Sequence, residues 1–164
     1  MKVLRALGWI LGGLLALGVA VYFGARLHDG PLALIPGGAL RSGELFELPV
    51  SDWSFAVDVG EIELQLESQS ISRTTWILVR GGAAYIPCSL GFPPGKQWYV
   101  HAQQDGRATV RIGGKRYPVT LTQDDDPSLA EFARAEVKRK YGNPPPSDAG
   151  VLFFRVESRA ASGG

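Results

Sequence analysis

From Ala6 to Phe23 the chain reads ALGWILGGLLALGVAVYF, without one charged residue. About 18 residues of helix at about 1.5 Å each reach roughly 27 Å, close to the thickness of a bilayer's hydrocarbon core. The run is apolar on every side, so it cannot be the amphipathic stripe of a helix lying on a soluble core. Gly8, Gly12, Gly13 and Gly18 would weaken a helix in water, but glycine is common in helices surrounded by lipid. Trp9 and Tyr22 stand near its ends, where amphipathic rings favour the interface. Lys2 and Arg5 precede the run and Arg26 follows it, which predicts an N-terminus inside and the rest of the chain outside. A rival reading is a cleaved secretory signal with a small-residue site at Gly18-Val19-Ala20. Both readings export the remainder of the chain. In a bacterium the first reading means a single-pass protein of the inner membrane with a periplasmic or extracellular C-terminal domain.

The exported part has the length of one domain, and the division predicted is an anchor over 1–26, a Gly/Pro-rich connector over 27–50, a domain over 51–158 and a flexible tail over 159–164. Gly30-Pro31, Ile35-Pro36-Gly37-Gly38 and Leu48-Pro49 interrupt any periodicity in the connector. Glu61-Ile62-Glu63-Leu64-Gln65-Leu66-Glu67 alternates strictly, the signature of a strand with one wet face. Segments 74–79 and 83–86 flank Gly81-Gly82, and 108–112 and 115–122 flank Gly113-Gly114; both pairs read as β-hairpins. Two more strands are predicted over 98–102 and 151–156. One late helix is expected, capped by Asp126, with Pro127 in its first turn, Leu129, Phe132, Ala133 and Val137 on one face, and a stop at Tyr141-Gly142 before Asn143-Pro144-Pro145-Pro146. Asp124 to Asp126 at its start and Lys138-Arg139-Lys140 at its end complement the helix dipole. The sum is a mainly β fold, a six- to seven-stranded barrel with one late α-helix, preceded by a single N-terminal transmembrane helix.

The chemistry is harder to read. His28, His101 and the single Cys88 are too few and too scattered for a metal, no Gly-x-Ser-x-Gly elbow exists, and the loop Gly91-Phe-Pro-Pro-Gly95-Lys96 lacks the spacing of a phosphate loop. No pattern in the chain singles out a catalytic residue. A net charge of +1 gives no reason to expect nucleic acid, but its distribution is uneven. Residues 41–72 hold seven acids and one base, whereas 73–119 hold seven bases and the single acid Asp105. Either these pair off between strands, or some of Arg73, Arg80, Lys96, Arg107, Arg111, Lys115 and Arg116 line a groove for an anionic group such as a cofactor phosphate. The loop from Cys88 to Trp98 is the place to look: Ser89 can donate to a phosphate, Lys96 can neutralise it and Trp98 can cover a flat ring.

Arg73-Thr74-Thr75, the Gly81-Gly82 turn, Ala84-Tyr85-Ile86-Pro87-Cys88-Ser89, Lys96-x-Trp98 and Arg107-Ala-Thr-Val-Arg-Ile-Gly-Gly-Lys-Arg-Tyr-Pro-Val succeed one another with a characteristic spacing. That order resembles the split β-barrels of the pyridoxamine 5'-phosphate oxidase-like superfamily, in the style of its deazaflavin-dependent nitroreductase branch, over about residues 50–158. The resemblance implies a homodimer binding a flavin, a deazaflavin or sometimes haem in a groove at the subunit interface. Carried over, it makes Arg73, Thr74, Ser89, Lys96 and Trp98 the cofactor-binding residues, with FMN or deazaflavin as cofactor and no metal. The branch's Gly-Arg-Lys-Ser-Gly run is replaced by Gln69-Ser70-Ile71-Ser72, and His101 stands where asparagine is usual. Two functions are expected: a membrane-anchored flavin- or deazaflavin-binding oxidoreductase, or a non-catalytic, membrane-tethered binding or assembly module that has lost the cofactor.

Overall fold

The structure is a computed structural model that describes residues 2–142 and 150–161. Helix α1 spans Lys2–Leu27 and is followed by the two-residue strand β1, Glu44–Leu45. Strands β2 (Glu61–Leu66), β3 (Ser72–Trp76), β4 (Leu78–Arg80) and β5 (Ala83–Ser89) come next. Helix α2 (Trp98–Gln104), strands β6 (Arg107–Ile112) and β7 (Lys115–Gln123), helix α3 (Ser128–Tyr141) and strand β8 (Val151–Ser158) complete the chain.

One sheet runs in the order β3-β2-β6-β7-β8-β5-β4, antiparallel throughout, with β1 added in parallel beside β7. The two ends of that order, β3 and β4, are one stretch of chain broken at Ile77. Its first half pairs with β2 and its second half with β5, so the sheet curls until both edges meet in the same segment. This is a split barrel. Residues 86–89 of β5 and 72–76 of β3 form no ladder with each other, and that gap is the split.

The strands form where alternation predicts them. In β2, Ile62, Leu64 and Leu66 are buried while Glu61, Glu63 and Gln65 face outward, and the inner face joins Val110, Val119, Ile86 and Phe154 in the core. Both Gly-Gly pairs take positive φ at each residue, 57° and 81° at Gly81-Gly82 and 56° and 80° at Gly113-Gly114. That is the mirror-image turn a two-residue hairpin requires. The expected strand over 98–102 is instead α2: Trp98 and Ala102, four residues apart, are its buried positions, and a run this short has no periodicity that separates helix from strand. The strand number is preserved because the segment expected as one strand over 74–79 is two, β3 and β4.

Helix α3 covers the outer face of β4, β5 and β8 with Leu129, Ala133 and Val137 on Leu78, Tyr85 and Phe153. Asp126 caps it by accepting from the Ser128 N–H at 2.9 Å. The proline run after Gly142 lies outside the described residues. The basic end of α3 does more than oppose a dipole. Lys140 Nζ donates to the carbonyls of Val59 (2.8 Å) and Ile77 (2.9 Å), the second being a group released by the strand break. Arg139 bonds Asp58 and the Val57 carbonyl, and Tyr141 stacks on Trp76 at 4.3 Å while donating to the Gly60 carbonyl.

The segment after α1 is tied across the outside of the sheet. Gly37 and Ser72 exchange backbone hydrogen bonds, and Ser72, fully buried, donates through Oγ to the Gly38 carbonyl. Arg111 is the fastener. Its side chain is 10% exposed and bonds the Glu63 carboxylate, the Asp29 carboxylate at 3.2 Å and Ser42 Oγ at 3.0 Å. Despite a desolvation penalty, Ser42, the N–H groups of Arg41 and Ser42, and the Arg111 charge hold the Asp29 carboxyl well below its ordinary value of 3.8. A carboxyl depressed on folding stabilises the protein above its unfolded pKa and loses that contribution as pH falls through the folded one. Asp29→Asn should therefore cost about 1 kcal/mol at neutral pH. The gap to the parent, measured by urea unfolding in steps from pH 7 downward, should close only below pH 4; a gap independent of pH would refute the pairing.

Candidate functional site

In an antiparallel pair, partnered residues face the same side. Arg73 partners Leu64 and Thr75 partners Ile62, both inward-facing, so Arg73 enters the barrel at the split. There its guanidinium lies 5.6 Å from the centre of the Trp98 ring. Trp98 comes from α2, 6% exposed, and packs on Phe154 at 5.3 Å between centroids. Cys88, on the inward side of β5, lies within electrostatic reach of both Arg73 and Lys96. Lys96 is half-buried, and its ammonium donates to the Phe92 carbonyl within its own loop.

Among the described residues Arg73 is held by one hydrogen bond, from Nη2 to Gln69 Oε1 at 2.7 Å. Its Nε is buried with no partner among the described residues, an uncompensated donor of the kind folded proteins rarely keep. Burial, and after it the like charge of Arg26, pull the guanidinium down to about 10, which still leaves it charged at neutral pH. Arg26, in the last turn of α1, leans over the Tyr22 ring at 5.0 Å, and its Nε too is buried without a partner among the described residues. Burial also lowers the Lys96 ammonium and pushes the Cys88 thiol up to about 11, against the pull of Lys96 and Arg73.

Of the five residues expected at a cofactor site, Arg73, Lys96 and Trp98 are gathered at the split. Thr74 and Ser89 are not gathered there. Thr74 partners outward-facing Glu63 and donates to the Ala33 carbonyl at 2.8 Å, and Ser89 follows inward-facing Cys88 in an alternating strand. The seven cations of 73–119 do not line a common groove. Arg80 pairs with Asp126 (3.0 Å), Arg107 with Asp105 (2.7 Å), Arg111 with Glu63 and Asp29, and Lys115 with Glu44 (3.7 Å). Arg116 donates to the carbonyls of Gly43 and Leu40. Neighbouring acidic segments absorb the asymmetry, and of these seven only Arg73 and Lys96 reach the split. Sequence reasoning missed Arg26 as a neighbour of Arg73; its signal was its place as the first cation after the apolar run. Among the described residues no three of His, Cys, Asp and Glu gather as metal ligands would.

The barrel, its split and the buried arginine define the class: a split β-barrel with a cation-lined opening. The family described as "Uncharacterized protein conserved in bacteria (DUF2255)" matches residues 58–155, more than half of the chain, and the chain belongs to that family. No curated protein matches it. Among solved structures it is similar to the "Putative Pyridoxamine 5'-phosphate oxidase" of Listeria innocua, at 14% identity over 63% of this chain and 88% of that one, with a TM-score of 0.45. A NimC/NimA family protein from Clostridium acetobutylicum shares 16% identity over 62% of this chain and 74% of its own, at a TM-score of 0.44. An F420 reductase shares 16% over 69% and 97%, at 0.45. The antiparallel strand order that closes on residues 72–80 is the split barrel that the resemblance over about residues 50–158 implied.

Buried and held protonated, Cys88 should resist alkylation by iodoacetamide at neutral pH and react fully once guanidinium unfolds the chain. Mass spectrometry reads the outcome, and rapid labelling of the folded protein would contradict the geometry.

Proposed function

We propose that the chain is a membrane-anchored split-barrel protein that binds a flavin or deazaflavin at the split and serves as an oxidoreductase. The observation that carries the reading is Arg73, a charged guanidinium drawn into the barrel whose buried Nε has no partner among the described residues, with Lys96 in electrostatic reach of the same Cys88 thiol. A phosphate would satisfy that donor and offset the mutual repulsion of Arg73 and Arg26. The same residues also test the fit of the ring system. Trp98 is packed on one side by Phe154 and covered by Arg73, so the barrel interior offers no slot, and the flat ring would lie outside the split, against a second copy of the chain in a homodimer. When bound, the cofactor supplies the electron or hydride chemistry. Arg73 and Lys96 would bind its anionic part, and Trp98 would fix the Arg73 guanidinium in place.

Helix α1 carries a stretch, Arg5–Leu27, with mean hydropathy 2.0, long and apolar enough to cross a membrane, and its residues from Arg5 to Gly24 are exposed. That supports an inner-membrane anchor with the barrel in the periplasm or outside the cell. The competing function, a tethered module without cofactor, is favoured by the placement of Thr74 and Ser89 away from the split.

Titrating the purified full-length chain in detergent with FMN and with a deazaflavin, followed by absorbance and thermal stability, decides between them. Arg73→Met should weaken binding of either by about 10- to 100-fold, the loss of one charge-assisted contact. Absence of binding by the parent chain would favour the module.

A further inference from the structure

Leu32 and Ile35 close a tight turn by exchanging backbone hydrogen bonds, Leu32 N–H to the Ile35 carbonyl at 3.0 Å and Ile35 N–H to the Leu32 carbonyl at 2.9 Å. The Ala33 carbonyl accepts from Thr74 Oγ1. The turn's backbone polar groups at these positions are thus satisfied inside the protein, although the surface around them is apolar. Leu34 at its tip is 79% exposed, flanked by partly exposed Leu32 and Ile35. Ala33 holds a φ of 50°, a left-handed conformation that L residues rarely adopt, to build this projection.

Ile35, partly exposed, turns toward α1. With Leu14, Leu17, Gly18, Val21 and Tyr22 of α1 it lines an apolar recess of about 510 Å³. Tyr22 and Arg26, joined by a 2.9 Å hydrogen bond, are the pair expected at the head-group boundary. Leu17 lies about 7 Å of helix rise to the apolar side of Tyr22. A segment that shares a recess with Leu17 and Leu14 therefore sits level with the part of α1 that hydrocarbon would surround.

We infer that the Leu32–Ile35 turn is a second bilayer contact, a wedge that seats along α1 and presents Leu34 to lipid acyl chains just beneath the head groups. The occupant of the recess is lipid, because the recess is continuous with the exposed apolar surface of α1 and the turn's own cross-hydrogen bonds between Leu32 and Ile35 leave fewer polar groups to solvate. The inference rests on the membrane-anchor part of the proposed function and is independent of the cofactor. It gives the barrel two points of attachment on the same side as Arg26 and the split.

The test uses the full-length chain in vesicles of equimolar phosphatidylcholine and phosphatidylglycerol. Leu34→Cys and, separately, Leu14→Cys carry an environment-sensitive fluorophore, with the parent chain as the blank for Cys88. Both labels should emit in the blue and lose about twofold of their intensity to spin-labelled lipids, Leu34 to a shallow spin label and Leu14 to a deep one. A quenched Leu14 label with an unquenched, water-like Leu34 label overturns the wedge and leaves the anchor standing. A Leu34 label that is blue-shifted but unquenched means protein covers the turn, which also overturns it. If neither label is quenched, anchor and wedge fall together, whatever the cofactor titration gives.

Discussion

Everything in this molecule is arranged around a sheet that closes on one segment of chain. Residues 72–80 must serve β2 with one half and β5 with the other, and no single straight strand can do both. The break at Ile77 frees a carbonyl, and a freed buried carbonyl has to be answered. Lys140 answers it from the far end of α3, which makes the helix part of the closure and not only a lid on it. The stretch of β3 and β5 left without a ladder is where Arg73 turns inward. The opening is a direct result of how the barrel ends.

How much of this could be read from residues alone depends on how local each signal is. The Gly-Gly turns and the alternation of 61–67 are short-range signals whose geometry needs no knowledge of the rest of the chain. Helix α3 was legible for the same reason, down to Asp126. The segment 98–102 was not, because Trp98 and Ala102 suit either period and only the shape of the split selects a helix. The break at Ile77 left no mark, since Ile is at home in any strand.

The candidate site was half legible. Arg73, Lys96 and Trp98 share a locality that order along the chain could suggest, whereas Thr74 and Ser89 came with the resemblance, and alternation in a strand turns each to the face opposite its neighbour Arg73 or Cys88. The uneven charge along the chain had two physical outcomes. Acidic residues of 29–67 and 105–126 lie against most of the cations, so local pairing won wherever a carboxylate could reach. Arg73 escaped because the face it occupies is lined by Leu64, Ile62 and Ile86, where no acid stands among the described residues.

Ala25 is almost wholly buried, Gly38 approaches the carbonyls of Arg26 and His28 closely enough that a methyl group there would collide, and Asp29 is locked to Arg111. The leash between helix and barrel therefore has no slack. A domain on a loose string samples a hemisphere of orientations and meets its ligands by wandering, whereas this one is mounted like a lamp on a bracket. Its aim is set when the chain folds, and a glycine-to-alanine change at Gly38 would disturb where the barrel points before it disturbed the barrel itself.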